Sequence, residues 1–112
     1  MKISKLVKGN QTVIAIDGDL DAGSSVLLDS AIEEAVASGH RHLLIDCTRL
    51  NYISSAGLGV FMSRVQDFED QHIPMVLFGL QAKVFRIFQI LGLDQLLKIV
   101  VSEAEAETLA HQ

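Results

Sequence analysis

A short apolar segment in the middle of the chain, His42–Cys47, sets the limits on the fold. The segment is too short for a typical helix, and its two leucines and isoleucine follow one another without a polar face. Strands that are buried on both faces are typical of parallel sheets covered by helices on each side. The segment therefore predicts a central strand of an α/β fold.

Strand-like and helix-like patterns alternate on both sides of this segment. Further strands are predicted at Ile3–Leu6, Thr12–Asp17, Met75–Phe78 and Leu96–Val101, with Lys8–Gln11 as a hairpin turn. Apolar spacing predicts helices over Val26–Val36, Leu58–Phe68 and Ala82–Leu91. Asp21 and Ser24 are candidate caps of the first helix. A capping box from Ser102 to Glu105 predicts the start of a fourth helix. This order predicts one α/β domain over residues 1–112, with a mixed sheet of about five strands, about four helices and right-handed crossovers.

Charge and composition narrow the possible partners. The net charge is −5, and the nine basic residues are scattered without a run, so we expect no nucleic-acid partner. The amino terminus lacks the long apolar core of a signal peptide, and no apolar run approaches the roughly 20 residues that cross a bilayer. We therefore expect a cytoplasmic protein without membrane insertion and, because no cofactor or metal motif is present, no cofactor.

Two adjacent serines, Ser54 and Ser55, stand where the central strand gives way to the second helix. The amino end of a helix favours negative charge, and one serine can cap the helix while the other points outward. Phosphorylating the outer serine would add about −1.5 to −2 charge and could end the binding of a partner. The commoner meaning of such a pair is that both serines cap the helix. The glycines Gly57 and Gly59 that follow either relieve crowding against the sheet or admit a partner backbone, and both interpretations stay open.

The segment Asp46–Leu58 resembles the signature of the STAS family, the anti-sigma-factor antagonists. Gly18–Asp21 is similar to the acidic turn that follows the second strand in that family, and the order of elements agrees over nearly the whole chain. The resemblance implies that Ser55 is phosphorylated and that Asp21, Ser54 and Gly57 lie near it. Ser54 departs from the family, in which many members have aspartate at that position.

The resemblance also implies a mechanism. The unphosphorylated protein would bind an anti-sigma factor with serine kinase activity and free a sigma factor, phosphorylation of Ser55 would end the binding, and a phosphoserine phosphatase would restore it. The expected contact surface lies on the turn near Asp19–Ser24, the loop Arg49–Ser55 and the first turns of the following helix through Met62. It comprises Asp19, Asp21, Ser24, Asn51, Ser54, Ser55, Ala56, Leu58, Gly59 and Met62. Small STAS proteins also serve as subunits of lipid ABC transporters or in stress-sensing scaffolds, and that role is the alternative.

An enzyme is the competing class. Ser55 could act as a nucleophile with a base among His40, His42, His72 and His111, but the Gly-x-Ser-x-Gly elbow is absent, so we expect no catalysis. His40 and His42 are expected in a solvated loop. Cys47 is expected to be a small apolar filler, and no metal site is predicted. Gly57–Gly59 lacks the pattern of a phosphate-binding loop.

Overall fold

A computed structural model describes residues 1–111. Its elements are β1 (Lys2–Lys8), β2 (Gln11–Leu20), α1 (Ala22–Ala37), β3 (His42–Ile53), α2 (Ser55–Asp70), β4 (Met75–Phe78), α3 (Ala82–Ile90), a short 3₁₀ helix at Leu93–Gln95, β5 (Lys98–Val100) and α4 (Glu103–Ala110). The described elements form one sheet in the order β1-β2-β3-β4-β5, in which β1 is antiparallel and the other neighbours are parallel. The predicted mixed sheet and helices are confirmed.

The central strand is buried on both faces, as its sequence predicts. On one face, Leu43 and Ile45 pack in a core formed with α1, α2 and α3, while on the other face Leu44 packs with α4. Alternate strand side chains point to opposite faces, so neighbouring apolar residues serve the two cores. Cys47 is fully buried, and this burial raises the pKa of its thiol, which makes it an unreactive packing residue.

Strand β3 is longer than its apolar segment predicts. It runs on through polar residues to Ile53 because β2 continues beside it, with Asp19 opposite Tyr52 and Leu20 opposite Ile53. Two register shifts interrupt this pairing, one between Ala15 and Asp17 and one between Gly18 and Asp19. The predicted loop before the serines and the predicted acidic turn at Asp19 are therefore wrong, since both belong to strands.

Three further expectations need correction. Val26 and Leu27 were expected in the buried face of α1, but they are exposed, and Ser24, Ser25 and Leu28 are buried instead. His40 lies in the loop between α1 and β3, but it is half-buried and its Nδ1 is 2.6 Å from Thr12 Oγ1, while His42 is the first residue of β3. The last strand is Lys98–Val100 rather than Leu96–Val101, and Leu96 is exposed.

The helices α1 and α2 are joined by a half-buried arginine. The Arg64 guanidinium of α2 contacts Asp29 Oδ1 at 2.9 Å and Glu33 Oε2 at 2.7 Å, both on α1. A planar guanidinium can serve two carboxylates at once, which holds the two helices in one relative position. The amino ends of these two helices carry Asp21 and Ser55.

Candidate functional site

The two serines have different structural roles. Ser54 has an extended backbone and caps α2, its hydroxyl accepting a hydrogen bond from the Gly57 amide at 3.2 Å. Ser55 is the first residue of α2 and is exposed. The prediction that one serine caps the helix while the other is exposed is confirmed. Because Ser54 already provides the cap, the Ser55 hydroxyl is accessible for other chemistry.

Backbone pairing places Asp21 beside the serines. The Ser54 amide donates a 2.9 Å hydrogen bond to the Leu20 carbonyl. Asp21 is the residue after Leu20 and Ser55 is the residue after Ser54, so this bond brings Asp21 and Ser55 close together. The two helix starts therefore lie next to each other at the carboxyl ends of two parallel strands, where functional sites in open α/β sheets tend to lie.

Asp21 is held in a capping box. Its side chain accepts a 2.9 Å bond from the Ser24 amide, and Ser24 Oγ in turn accepts one from the Asp21 amide at 2.9 Å. The backbone hydrogen bond from Ser24, with a second from the Ser24 hydroxyl, lowers the pKa of Asp21 below its ordinary value of 3.8. Asp21 is exposed and remains anionic near neutral pH, so it gives this end of the sheet a fixed negative charge.

Gly57 lies where the start of α2 packs closely on the sheet. A Cβ atom on Gly57 would come within 2.9 Å of Ile53 Cγ1 and of Leu20 Cδ2, whereas one on Gly59 would meet nothing within 4 Å. Crowding against the sheet therefore explains Gly57 but not Gly59. Gly59 is exposed and has no side chain, so a partner backbone could approach the helix at this position.

The remaining residues of the predicted contact surface divide by exposure. Asp19, Asn51, Ala56 and Gly59 are exposed, and Leu58 and Met62 are half-buried against the main core. Ser24 is only 7 % exposed, so the prediction that it belongs to the contact surface is wrong. Its hydroxyl instead lies within hydrogen-bonding distance of Asp21 Oδ1 and holds that exposed carboxylate in place.

Two features next to the site are not evident from the sequence pattern. Gln81, which precedes α3, donates from Nε2 to Asn51 Oδ1 at 3.1 Å and so connects the amino end of α3 to the end of β3. Val26 and Leu27 add exposed apolar area to the first turns of α1, at 65 % and 57 % exposure. The buried serines of α1 reverse its expected apolar face, because Ser24 Oγ bonds to Asp21 Oδ1 and Ser25 Oγ to the Asp21 carbonyl oxygen. The capping-box spacing of Asp21 and Ser24 is the sequence signal that could have indicated this.

The histidines considered as bases for Ser55 lie elsewhere. His42 starts β3 and Ser55 follows its end, a separation on the order of 30 Å along a strand of this length. His111 stacks on His42 with ring centroids 4.0 Å apart, and His72 lines the same cavity as His42. Within residues 1–111, no group of three or more His, Cys, Asp or Glu side chains could hold a metal ion, and no helix is long and apolar enough to cross a bilayer.

Comparison with known proteins agrees with this architecture. The model of the STAS domain family matches residues 2–106. The anti-sigma-B factor antagonist of Listeria monocytogenes is 33 % identical over 108 residues, which cover 94 % of this chain and 95 % of that protein.

Solved structures show the same fold. An anti-sigma factor antagonist from Mycobacterium paratuberculosis superposes with a TM-score of 0.86 at 18 % identity, covering 99 % of this chain and 94 % of that one. The Bacillus cell fate determinant SpoIIAA in its phosphorylated form superposes with a TM-score of 0.73 at 20 % identity, covering 96 % of this chain and 99 % of that one. On the match to the family model and to the Listeria protein, the chain belongs to the STAS domain family.

Proposed function

We propose that this protein is a cytoplasmic anti-sigma-factor antagonist that binds an anti-sigma factor with serine kinase activity through the surface around Ser55. Phosphorylation of Ser55 ends this binding, and a phosphoserine phosphatase restores it. The observation that carries the proposal is the exposed Ser55 side chain in the first turn of a helix that Ser54 already caps. The names of the Listeria relative and of the phosphorylated structural neighbour support it, and they do not favour a transporter subunit or scaffold.

A phosphate on Ser55 is compatible with the fold. Helix α2 spans 16 residues, so its amino end presents unpaired backbone amides and the positive end of the helix dipole. The added charge of about −1.5 to −2 would be stabilised there rather than break the helix. Phosphorylation therefore changes what the surface can bind and leaves the scaffold in place.

The same charge opposes docking. The outer side of the first turns of α2 is small and weakly polar, with exposed Ala56 and Gly59 and half-buried Met62. Asp19 and Asp21 already place carboxylates beside it. A partner that covers Ser55 would have to desolvate a dianion among these carboxylates, which disfavours the complex.

Ser54 distinguishes this chain within the family. By the resemblance described above, many antagonists carry aspartate at this position, and here a hydroxyl performs the capping. A serine cap stabilises a helix about as well as an aspartate cap but adds no charge. Asp21 is then the acidic group beside Ser55 that a kinase would encounter.

The test is phosphorylation in vitro by a purified anti-sigma factor with serine kinase activity from the same organism. After incubation with ATP, mass spectrometry should locate one phosphate, on Ser55. A Ser55→Ala variant should take up none, and Ser54→Ala, the matched control, should still be modified. Phosphate on Ser54, or undiminished labelling of Ser55→Ala, would overturn the assignment.

A further inference from the structure

The exposed side chains of Val26 and Leu27 lie on different flanks of α1. Residues three, four and seven positions apart share one side of a helix. Val26 therefore lies on the flank from which Asp29 contacts α2. Leu27 lies on the flank of Glu34, whose carboxylate is 2.7 Å from Lys5 Nζ of β1. Of the two neighbouring apolar side chains, which are 65 % and 57 % exposed, only the first is directed toward α2.

The register of α1 and α2 determines what lies beside Val26. The helices have 16 residues each and run in the same direction, because each follows one strand of the parallel pair β2 and β3. Arg64 lies nine residues after the start of α2, and it contacts Asp29 and Glu33, seven and eleven residues after the start of α1. Residues at equal distances from the two starts are therefore level, and Val26 lies level with Gly59.

Val26, Gly59 and Val60 form a seam on the outer surface between the two helices. A Cβ atom on Gly59 would meet nothing within 4 Å, so the space beside Val26 is open. Val60 is half-buried and packs on the main core below. Arg64 closes one end of the seam, and the other end leads to Ser55. The seam is thus an apolar area next to the surface around Ser55.

The seam lies within the area that a partner centred on Ser55 would cover. A rise of about 1.5 Å per residue and a spacing of about 8–10 Å between the helix axes place Val26 about 11 Å from Ser55. A specific interface buries about 800 Å² on each partner, which is a patch about 30 Å across. Such a partner therefore reaches Val26 from Ser55 without a second binding site.

The charges around the seam are mainly negative. Asp21 near its open end and Asp29 and Glu33 along α1 supply three carboxylates, against the one guanidinium of Arg64. Asp29 and Glu33 remain accessible to solvent despite their contacts with this arginine. A basic side chain on the partner complements this rim, whereas an acidic one is repelled.

We propose that the anti-sigma factor docks an apolar side chain against Val26 and places a basic side chain next to it, facing Glu33. This inference rests on the function proposed above and adds the seam between α1 and α2 to the contact surface. Val26 has no reactive group and lies about one helical turn from the level of Ser55. It therefore strengthens binding and takes no part in phosphoryl transfer.

Calorimetric titration of the anti-sigma factor with Val26→Ser and Leu27→Ser tests the apolar contact. Both variants replace an exposed apolar side chain in the same turn of α1, so both should unfold cooperatively like the parent. Val26→Ser should weaken binding about fivefold, because burial of the valine is lost, while Leu27→Ser should leave it within about twofold. Equal affinities of the two variants would overturn the proposed contact.

Glu33→Gln and Glu34→Gln form a second matched pair, which tests the basic neighbour. Glu33 lies on the flank toward α2 and Glu34 on the flank toward β1. Glu33→Gln should weaken binding about two- to threefold at low salt and less at high salt, while Glu34→Gln should not. Unchanged binding by Glu33→Gln would show that no basic side chain faces this position.

The outcomes separate this inference from the proposed function. A parent protein that neither binds the anti-sigma factor nor accepts phosphate on Ser55 overturns both. A parent that binds and is phosphorylated, together with a Val26→Ser variant that binds equally tightly, overturns this inference alone. At a saturating concentration of the anti-sigma factor, Val26→Ser should be phosphorylated on Ser55 as fast as the parent. A slower reaction there would contradict a role in binding only.

Discussion

The absence of a Cβ atom at Gly57 allows the start of α2 to pack closely on the sheet. Alanine at this position would gain helix propensity, but its Cβ would press on Ile53 and Leu20 at 2.9 Å. We expect Gly57→Ala to lower the free energy of unfolding by about 1–3 kcal/mol, because overpacking outweighs propensity. Gly59→Ala, whose Cβ meets nothing, should raise it by up to about 1 kcal/mol. Urea unfolding measures both, and two changes of the same sign would contradict the packing explanation.

Asp21 caps the amino end of α1 and also carries a negative charge, and a substitution can remove the charge while keeping the cap. The hydrogen bonds from Ser24 lower the pKa of Asp21 in the folded protein below its ordinary value of 3.8. The ionised carboxylate therefore stabilises the fold fully at pH values above 3.8. This stabilisation is lost as the pH falls through the lowered pKa of the folded protein. Asp21→Asn keeps a good capping residue but removes the titration.

We therefore expect Asp21→Asn to lose stability less steeply than the parent as the pH falls below 3.8, while both unfold similarly at pH 7. Thermal unfolding across this pH range is the measurement, and Asp19→Asn, an exposed carboxylate on β2, is the control. If the unfolding temperatures of the parent and of Asp21→Asn fall identically below pH 3.8, Asp21 is not the group that causes the loss of stability in acid.

That a serine caps α2 could be predicted from the sequence because local rules govern helix starts. A serine before an apolar periodic segment caps the helix, and this rule describes Ser54. The same rule describes Asp21 and Ser24, which form the capping box of α1. It did not indicate that Ser24 is buried: its hydroxyl is bound at the helix start, so a polar side chain occupies a buried position and Val26 is exposed.

At the scale of elements, α1 and α2 end in the same way with different residues. Each closes with a left-handed residue followed by a bond back to the last turn, His40 to Ala35 after α1 and Ile73 to Phe68 after α2. Gly39 takes this conformation at φ 85°, whereas His72 takes it at φ 57° with a side chain.

A non-glycine residue in the left-handed region is strained, so His72→Gly should stabilise the protein by about 0.5–1 kcal/mol. Gly39→Ala should have the opposite effect. The midpoints of urea unfolding of the two variants test this prediction. A destabilised His72→Gly would mean that contacts of the His72 side chain outweigh its backbone strain.

The contact between α1 and α2 rests partly on Arg64. Replacing it with methionine keeps the alkyl packing but releases Asp29 and Glu33, which are accessible enough to be hydrated. We expect a loss of about 1 kcal/mol, smaller at high salt. Arg86→Met on α3, an exposed position, should change the urea midpoint little. If Arg64→Met loses as much stability at 1 M salt as at low salt, packing rather than charge joins these helices.

Strand lengths follow from pairing and could not be predicted from single segments. The polar end of β3 has no apolar pattern, yet it remains a strand because β2 supplies backbone partners as far as Leu20. For this reason the predicted loop before Ser54 is a strand as far as Ile53, and the serines follow directly at the carboxyl end of this central strand.

For the whole molecule, the alternation of apolar strands and amphipathic helices was sufficient to predict the fold class and sheet. Each segment needs a covered face, and a mixed sheet with helices on both sides satisfies all of them. Which residues meet across the molecule, such as Gln81 with Asn51 or His42 with His111, depends on contacts far apart in sequence and became visible only in the structure.

The central claim is that one charge at Ser55 changes binding without changing the fold. Calorimetric titration of the kinase with unphosphorylated and Ser55-phosphorylated protein, alongside thermal unfolding of both forms, tests it most directly. We predict that phosphorylation weakens binding at least about tenfold, equivalent to about 1.4 kcal/mol, while the unfolding midpoint stays within a few degrees. Equal affinities of the two forms, or a phosphorylated protein that has lost its cooperative unfolding, would contradict the account.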